Sequence, residues 1–221
     1  MLRCYFDHNA TTPVSSDILD VFTRVSRDCF GNASSIHQYG QAARQELERA
    51  RGDVAHLIGC SRNEIVWTSG GTEADNLAIF VKLLKRSGHI LTSSIEHPAV
   101  LSSCRRLERD GVPVTYVAPG PGGTVDPNDV QAALRPNTVL ISIMHVNSET
   151  GVIQPLQEIA AIARYAGAAL HSDGVQAAGK LPVNVCDLDV DLYTLSAHKM
   201  YAPKGVGALF IRKGVELDPL L

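Results

Sequence analysis

The sequence predicts an α/β layered fold with a mostly parallel central sheet. Short apolar segments of strand length alternate with longer segments in which apolar residues recur at helical spacing. The strand-like segments are apolar at consecutive positions, as strands are when helices cover both faces of a sheet. The chain has 221 residues, of which 45% are hydrophobic and 19% charged, and this length allows one large domain or two small ones.

Six helices are predicted from apolar periodicity and from residues that begin or end helices. They lie near 16–29, roughly at 38–58, and at 73–88, 98–111, 127–134 and 155–167. Pro98 begins one helix, and Gly59, Gly88 and Gly111 end others. In three segments one helical face is apolar: Ala43, Leu47, Ala50, Val54 and Leu57; Ala74, Leu77, Val81 and Leu84; and Leu156, Ile159, Ala163 and Ala166.

Strands are predicted between these helices, and the connections between elements are short. The strand segments are 64–69, 89–93, 112–118, 138–144, 168–173 and 191–196, and a final apolar run at 207–212 follows a Pro/Gly-rich turn. The Gly/Pro cluster at 118–124 is short enough to be a loop rather than a linker.

Composition excludes several classes of protein and site. The net charge of -3 and the absence of a Lys/Arg run disfavour nucleic acid as a partner. The apolar runs are too short for a transmembrane helix, and the first residues lack the apolar core of a signal peptide. Five cysteines without CxxC pairing indicate a reduced, cytoplasmic compartment with neither a disulfide framework nor a zinc site. We therefore expect no membrane association and no metal.

Polar residues follow several predicted strands, at the sheet edge where ligands bind in such folds. Gly71 and Thr72 open a helix, where backbone N–H groups suit a phosphate; a tight turn with Thr72 as the N-cap is the alternative. His97 is either catalytic or a half-buried polar residue. Asp173 ends a buried strand, where its carboxylate needs a cation or a capping role. Lys199 either has a lowered pKa and a nucleophilic amine, or extends to solvent.

Together these residues indicate a particular cofactor. A lysine that forms an imine and a carboxylate that holds a pyridine nitrogen protonated are the pair typical of pyridoxal phosphate sites. An amide, such as that of Asn147 in the polar segment 145–151, could hydrogen-bond to the ring oxygen. The GxGxxG and GxxxxGK[ST] patterns of nucleotide sites are absent from the sequence.

The sequence closely resembles the cysteine desulfurases, the NifS/IscS-like group of the class V aminotransferase family. The similarity lies in seven ordered motifs: "YFDHNATTPV" (5–14), "FGNASSIHQYG" (30–40), "EIVWTSGGTEADNLAI" (64–79), "TSSIEHPAVL" (92–101), "ISIMHVNSETGVIQPL" (141–156), "LHSDGVQAAGKLPV" (170–183) and "SAHKMYAPKGVGALF" (196–210). The resemblance implies the three-layer α/β/α large domain of fold-type I pyridoxal phosphate enzymes.

The resemblance also implies roles for individual residues. Lys199 would hold the cofactor covalently. Thr72, Ser196 and His198 would bind its phosphate with help from the Gly71 backbone. Asp173 would pair with the pyridine nitrogen, and Gln176 and Asn147 would contact the ring oxygen. His97 would stack on the ring and assist proton transfer. The predicted catalytic residues are therefore Lys199 and His97.

The implied reaction converts L-cysteine to L-alanine, and the sulfur passes to a cysteine of the enzyme as a persulfide. A sulfur-acceptor or iron–sulfur scaffold protein and a second copy of the chain, in a homodimer, are the implied partners. The family's catalytic cysteine loop, its substrate-binding arginine and its C-terminal small domain have no counterpart in these 221 residues. Residues 1–14 are expected to form an arm at the active-site mouth, and residues 15–221 the cofactor-binding large domain.

Three alternative functions remain open from the sequence. Selenocysteine lyase shares almost all the motifs. Another class V enzyme, such as an aminotransferase for a small substrate, fits less well because "HVNSETG" and "SIEHPAV" match the desulfurase pattern. A non-catalytic domain that keeps the fold is the third. We expect the 221-residue chain alone to be inactive in desulfuration.

Overall fold

The protein folds around a seven-stranded sheet. Its computed structural model describes residues 4–83 and 88–217, with only the backbone for 81–83. The strands are β1 (Ile65–Thr68), β2 (His89–Ser93), β3 (Val114–Val117), β4 (Thr138–Ser142), β5 (Ala169–Asp173), β6 (Leu192–Ser196) and β7 (Gly207–Ile211). The helices are α1 (Ser16–Asp28), α2 (Gln38–Leu57), α3 (Gly71–Leu83), α4 (Pro98–Arg109), α5 (Pro127–Ala132) and α6 (Leu156–Ala166).

The sheet is mostly parallel, as predicted. Its strand order is β1-β7-β6-β5-β4-β2-β3, and only β7 runs antiparallel to its neighbours. Because β7 is antiparallel to both β1 and β6, these two strands point in the same direction as the rest. The carboxyl ends of six strands therefore lie along one edge of the sheet, where ligands bind in open α/β sheets.

Helices cover both faces of the sheet, so the domain has three layers. Alternate strand residues contribute to different cores because successive side chains of a strand point to opposite faces. Ile90 and Leu140 pack with α3 and α4, whereas their neighbours Leu91 and Ile141 pack on the face that α2 and α6 cover. The three-layer α/β/α fold class is thereby confirmed.

The helix signals in the sequence act where they were predicted. Pro98 occupies the first turn of α4 after the N-cap His97, and α4 ends just before Gly111, whose φ of 90° is left-handed. The helix predicted over 73–88 begins at Gly71, two residues earlier. Of its predicted apolar face, Leu84 and the side chain of Val81 lie outside what the structure describes.

The two helices that precede the sheet are little buried, although an apolar face was predicted for the second of them. Helix α1 buries no side chain. On α2, Leu47 is 38% exposed and Leu57 43% exposed, while Gly40 and Ala55 are the buried positions. None of the helices within residues 4–83 and 88–217 combines the length and the apolar character that crossing a membrane requires.

Candidate active site

A cavity of about 240 Å³ lies at the carboxyl edge of the sheet. Its wall comes from segments after β1, β2, β4, β5 and β6 and from Ala10 in the N-terminal arm, which we define as residues 4–14. Eight of the nine predicted site residues line it: Gly71, Thr72, His97, Asp173, Gln176, Ser196, His198 and Lys199. The structure thus brings together residues that are up to 128 positions apart in the sequence (71 to 199).

The first turn of α3 forms one wall of the cavity. A Cβ added at Gly71 would meet Val175 Cγ2 at 3.1 Å and Ser196 Cβ at 3.4 Å, so the absence of a side chain lets the helix start close to β6. Glu73 stabilises the turn before the helix by accepting hydrogen bonds from the amide and hydroxyl of Ser69, at 2.7 and 2.5 Å. The first amides of a helix have no partner within the helix, and this end therefore suits an anion.

Asp173 forms the floor of the cavity. It is the last residue of β5, is only 7% exposed, and accepts the Val175 amide at 2.9 Å. Burial raises the pKa of its carboxyl, while the Val175 hydrogen bond and the cationic forms of His97 and Lys199 act in the opposite direction. A positive charge placed in the cavity would complete the stabilisation of this carboxylate.

Lys199 lies at the end of a short 3₁₀ turn, Ala197–Lys199, that continues β6. Its ammonium donates hydrogen bonds to the carbonyl of Asn9 and, at 2.8 Å, to that of Ala10. Burial, followed by the positive charge of Lys180, lowers the pKa of this amine. A lowered pKa increases the fraction of neutral, nucleophilic amine, which is what an imine-forming lysine needs.

Ser196 and His198 flank this lysine. Ser196 is buried at the end of β6. His198 Nδ1 pairs with the Thr11 hydroxyl at 3.0 Å, and its backbone carbonyl accepts both the amide and the hydroxyl of Thr12 at 3.0 Å. Burial and then the charge of Lys199 lower the pKa of the His198 imidazole. His198 is therefore a neutral hydrogen-bonding group near neutral pH.

His97 borders the cavity as the N-cap of α4. Its Nδ1 accepts the Ala99 amide at 3.1 Å, so the neutral ring carries its proton on Nε2. Asp75, His97 and Asp173 offer ligand atoms within 4.8 Å of one another, a spacing that could hold a metal ion. The Nδ1 hydrogen bond argues against a metal, because binding one through Nε2 would require an imidazole without any proton.

The two amide side chains predicted at the ring oxygen have different environments. Gln176 lines the cavity, where it accepts the Lys180 ammonium at 2.5 Å and donates to the Asn9 carbonyl at 2.9 Å. Asn147 instead lines a neighbouring cavity of about 220 Å³. Its Oδ1 accepts the amides of Glu149 and Thr150, and it therefore holds its own loop together. A contact from Asn147 to a cofactor remains a prediction.

Sequence reasoning missed two components of the site. Asp75 lies one turn into α3, is 1% exposed, and lines the cavity beside Asp173. The available signal was a charged residue within an apolar helical stretch, directly after Ala74. The N-terminal arm carbonyls of Asn9 and Ala10, which hold Lys199, had no sequence signal because backbone groups carry none.

Comparison with known proteins decides the family. The family described as Aminotransferase class-V matches residues 4–221. The chain belongs to this family. A curated class-V relative, the cysteine desulfurase IscS of Dictyoglomus turgidum, is 47% identical over 220 residues, which are 98% of this chain and 56% of the relative. The chain spans about half the length of the curated relatives it matches.

Solved structures agree with the class-V assignment. SspA in complex with cysteine is 41% identical, with a TM-score of 0.96 over 99% of this chain and 65% of that one. A NifS-like protein is 38% identical, with a TM-score of 0.97 over 100% of this chain and 62% of that one. The resemblance to the NifS/IscS-like group is thereby confirmed, and the fold class is that of the NifS-like enzymes.

Class-V enzymes of the desulfurase group depend on pyridoxal phosphate, and the cavity fits this cofactor. Lys199 and Asp173 provide the amine and the carboxylate that a pyridine aldehyde needs. The start of α3, with no Cβ at Gly71, offers backbone donors to a phosphate. The buried Asp75 Oδ1 has no hydrogen-bond partner among the described residues, so this polar atom at the floor faces the cavity unpaired.

None of the five cysteines, all of which lie within the described ranges, lines this cavity. Cys104 is buried in the core between α3 and α4, and Cys60 packs at the edge of the other core. Burial raises the pKa of both thiols to about 12, which suppresses the reactive thiolate form. Cys4 and Cys186 are exposed, and Cys29 is partly exposed.

Proposed function

We propose that this chain is the cofactor-binding part of a pyridoxal-phosphate-dependent cysteine desulfurase, an enzyme that converts L-cysteine to L-alanine and transfers the sulfur to one of its own cysteines. The observation that supports this most is the convergence of Lys199, Asp173 and the start of α3 on one cavity. Relatives named cysteine desulfurase and the neighbour solved with cysteine support the substrate.

Specific residues would hold the cofactor. Lys199 would bind it covalently, and Asp173 would pair with its pyridine nitrogen. Gln176 and Asn147 would contact its ring oxygen. The phosphate would be held by Thr72, Ser196 and His198 and by the Gly71 amide. When bound, pyridoxal phosphate withdraws electrons and stabilises negative charge at the α-carbon of an amino acid.

The residues of the chain then bind, orient and move protons. Lys199, with its lowered amine pKa, is suited to accept and return a proton once an amino acid occupies the cavity. His97 would stack on the ring and assist, with the exchangeable proton on Nε2 because Nδ1 is engaged by the Ala99 amide. Asp173, buried away from water, keeps the charge of its carboxylate directed at the cofactor.

The domain division and the partners belong to the same proposal. Residues 15–221 would form the large domain, and residues 1–14 an arm at the mouth of the active site. The lining position of Ala10 and the carbonyl of Asn9 on Lys199 support this division. A homodimer, a sulfur-acceptor or iron–sulfur scaffold protein as partner, and a cytoplasmic location follow from the family resemblance.

A second candidate is cofactor binding without turnover by these 221 residues. It is favoured by the position of the five cysteines outside the cavity. Selenocysteine lyase is a further possibility on chemical grounds, because selenium and sulfur substrates would use the same cofactor residues. Comparing the rates with cysteine and selenocysteine in the full-length protein would separate these two activities.

Spectroscopy with the cofactor tests the proposal. We expect the purified chain mixed with pyridoxal phosphate to show the visible absorbance of a lysine-bound cofactor, and Lys199→Ala to lack it. Lys213→Ala, which removes an exposed lysine beyond β7, is the matched control and should keep the band. A wild-type protein without the band, or a Lys199→Ala variant that keeps it, would refute the cofactor assignment.

An assay of alanine release from cysteine tests the catalytic half of the proposal. We expect the 221-residue chain to bind cofactor but to release no alanine. Sustained turnover by this chain would mean that one of its five cysteines acts as the sulfur acceptor after all. Individual Cys→Ser variants would then identify it.

A further inference from the structure

Two buried carboxyl groups lie side by side on the floor of the cavity. Asp75 is 1% exposed and Asp173 7% exposed, and carboxylate oxygens of the two lie within 4.8 Å of each other. Two like charges at this distance and depth strongly disfavour each other, so the pair holds a proton. The question is which of the two carboxyl groups carries it.

Hydrogen bonding differs between the two carboxyls. Asp173 accepts the Val175 amide at 2.9 Å, and the side chains of His97 and Lys199 border the same cavity. Asp75 Oδ1, in contrast, is buried without a hydrogen-bond donor from the described residues. Burial and then the charge of Asp173 raise the pKa of the Asp75 carboxyl more strongly than the Thr194 hydroxyl lowers it. A carboxylate is stabilised by donors and by nearby cations, and both favour charge on Asp173. The proton therefore belongs on Asp75.

His171, which lies next to Asp75 in the core, does not supply a positive charge to its carboxylate. His171 Nε2 lies 3.6 Å from Asp75 Oδ1, beyond hydrogen-bond distance. Its two ring nitrogens pair instead with the hydroxyls of Ser142 and Thr194, at 2.8 and 3.0 Å. Burial lowers the pKa of this imidazole to about 3, so the ring is neutral near pH 7.

The other buried titratable groups near Asp75 and Asp173 carry no positive charge. Glu96, which precedes α4, is buried, and its negative form would raise the pKa of Asp75 further. His145 and Tyr193 hydrogen-bond to each other at 2.7 Å, and burial lowers the pKa of the first and raises that of the second. Both are therefore neutral, and among the described residues Lys199 is the cation that lines the open side of the cavity.

We propose that Asp75 is a positioning residue that remains protonated beside Asp173 and so keeps the single negative charge of the pair on Asp173. This inference rests on the proposed function, because a single charge matches the single positive charge of a protonated pyridine nitrogen. An ionised Asp75 would leave an excess buried charge in the cavity. A neutral Asp75 keeps the negative charge on Asp173 and adds no second negative charge to the cavity.

Infrared spectroscopy of the cofactor-free chain near pH 7 tests the protonation state directly. We expect to observe the carbonyl band of a protonated carboxyl group, and we expect this band to shift when aspartate is labelled with ¹³C at its carboxyl carbon. The band should disappear in Asp75→Asn and persist in Asp173→Asn, whereas a proton held by Asp173 would be lost in both variants. It should also persist in Glu96→Gln, which removes the other buried candidate. Labelled wild-type protein without such a band would overturn the inference, and this arm needs no variant to fold.

Cofactor titration provides the second arm. Asn has no charge and can both donate and accept hydrogen bonds, so Asp75→Asn should keep the affinity for pyridoxal phosphate within about twofold, whereas Asp173→Asn should weaken it more than about tenfold. A loss of about tenfold or more in Asp75→Asn would contradict the inference. If the wild type binds no cofactor, the proposed function fails, while the infrared result still decides the state of Asp75.

Discussion

His145 and Tyr193 are joined by a hydrogen bond of 2.7 Å between the imidazole Nδ1 and the phenol oxygen. The bond fixes the Tyr193 ring, which is completely buried, directly behind Gly174. A Cβ at Gly174 would overlap this ring. The large aromatic ring of Tyr193 explains why glycine stands at position 174.

Gly174→Ala is therefore expected to destabilise the protein. Overpacking in a rigid core costs about 1–3 kcal/mol, occasionally more. Tyr193→Leu should restore room, so that Gly174→Ala becomes nearly neutral in that background. Urea unfolding of the two single variants and the double variant measures this coupling. Additive effects of the two substitutions would show that the overlap is not what excludes alanine.

The position of Gly71 leads to a prediction about binding. In Gly71→Ala the added methyl would press on Val175 and Ser196, which line the cavity. Because alanine favours a helix over glycine, we expect little loss of stability but an affinity for pyridoxal phosphate reduced by about tenfold, equivalent to about 1.4 kcal/mol.

Gly70→Ala is the matched control for this substitution, since a Cβ there meets no atom within 4 Å. Its cofactor affinity should equal that of the wild type. If both alanine variants bind alike, the close approach of α3 to β6 has no role in forming the phosphate site.

The buried Glu96 makes stability depend on pH. Burial raises the pKa of its carboxyl to about 8 from an ordinary 4.5. Between these values the folded protein binds more protons than the unfolded chain, so stability falls as the pH rises. Relative to Glu96→Gln, we expect the wild type to lose about 3 kcal/mol of unfolding free energy between pH 4.5 and 7.

Unfolding titrations at several pH values measure this difference. Glu158→Gln, on the exposed surface of α6, serves as control and should follow the wild type. Parallel curves for the wild type and Glu96→Gln would mean that the Glu96 carboxyl titrates normally.

Thr12 links the arm to the lysine segment. Its hydroxyl donates to the His198 carbonyl at 3.0 Å and accepts the Tyr201 amide at 2.8 Å. Thr12→Val removes the hydroxyl at constant shape and leaves the Tyr201 amide unpaired, which costs about 1–3 kcal/mol. We expect a lower thermal midpoint and weaker cofactor binding, whereas Thr12→Ser should keep both. Equal behaviour of the two variants would indicate that the hydroxyl is dispensable.

Much of the cavity could be predicted because parallel strands end at one edge. Polar residues after apolar runs, such as Asp173 and Lys199, must then lie close together. The environment of Asn147 could not be predicted, because several partners of its amide are backbone groups, the amides of Glu149 and Thr150 and the carbonyl of Ile95. The exposure of Leu47 was also not predictable, since periodicity reveals an apolar face but not what covers it.

The arm contacts have a consequence for the order of folding. Hydrogen bonds from Thr12 to His198 and from Lys199 to Ala10 join residues more than 185 positions apart. Closing so long a loop is entropically unfavourable, and contacts of this kind slow folding. During synthesis, the arm emerges long before Lys199. We therefore expect the lysine end of the cavity to be completed late, so that acquisition of the cofactor's absorbance would report the last stage of folding rather than the first.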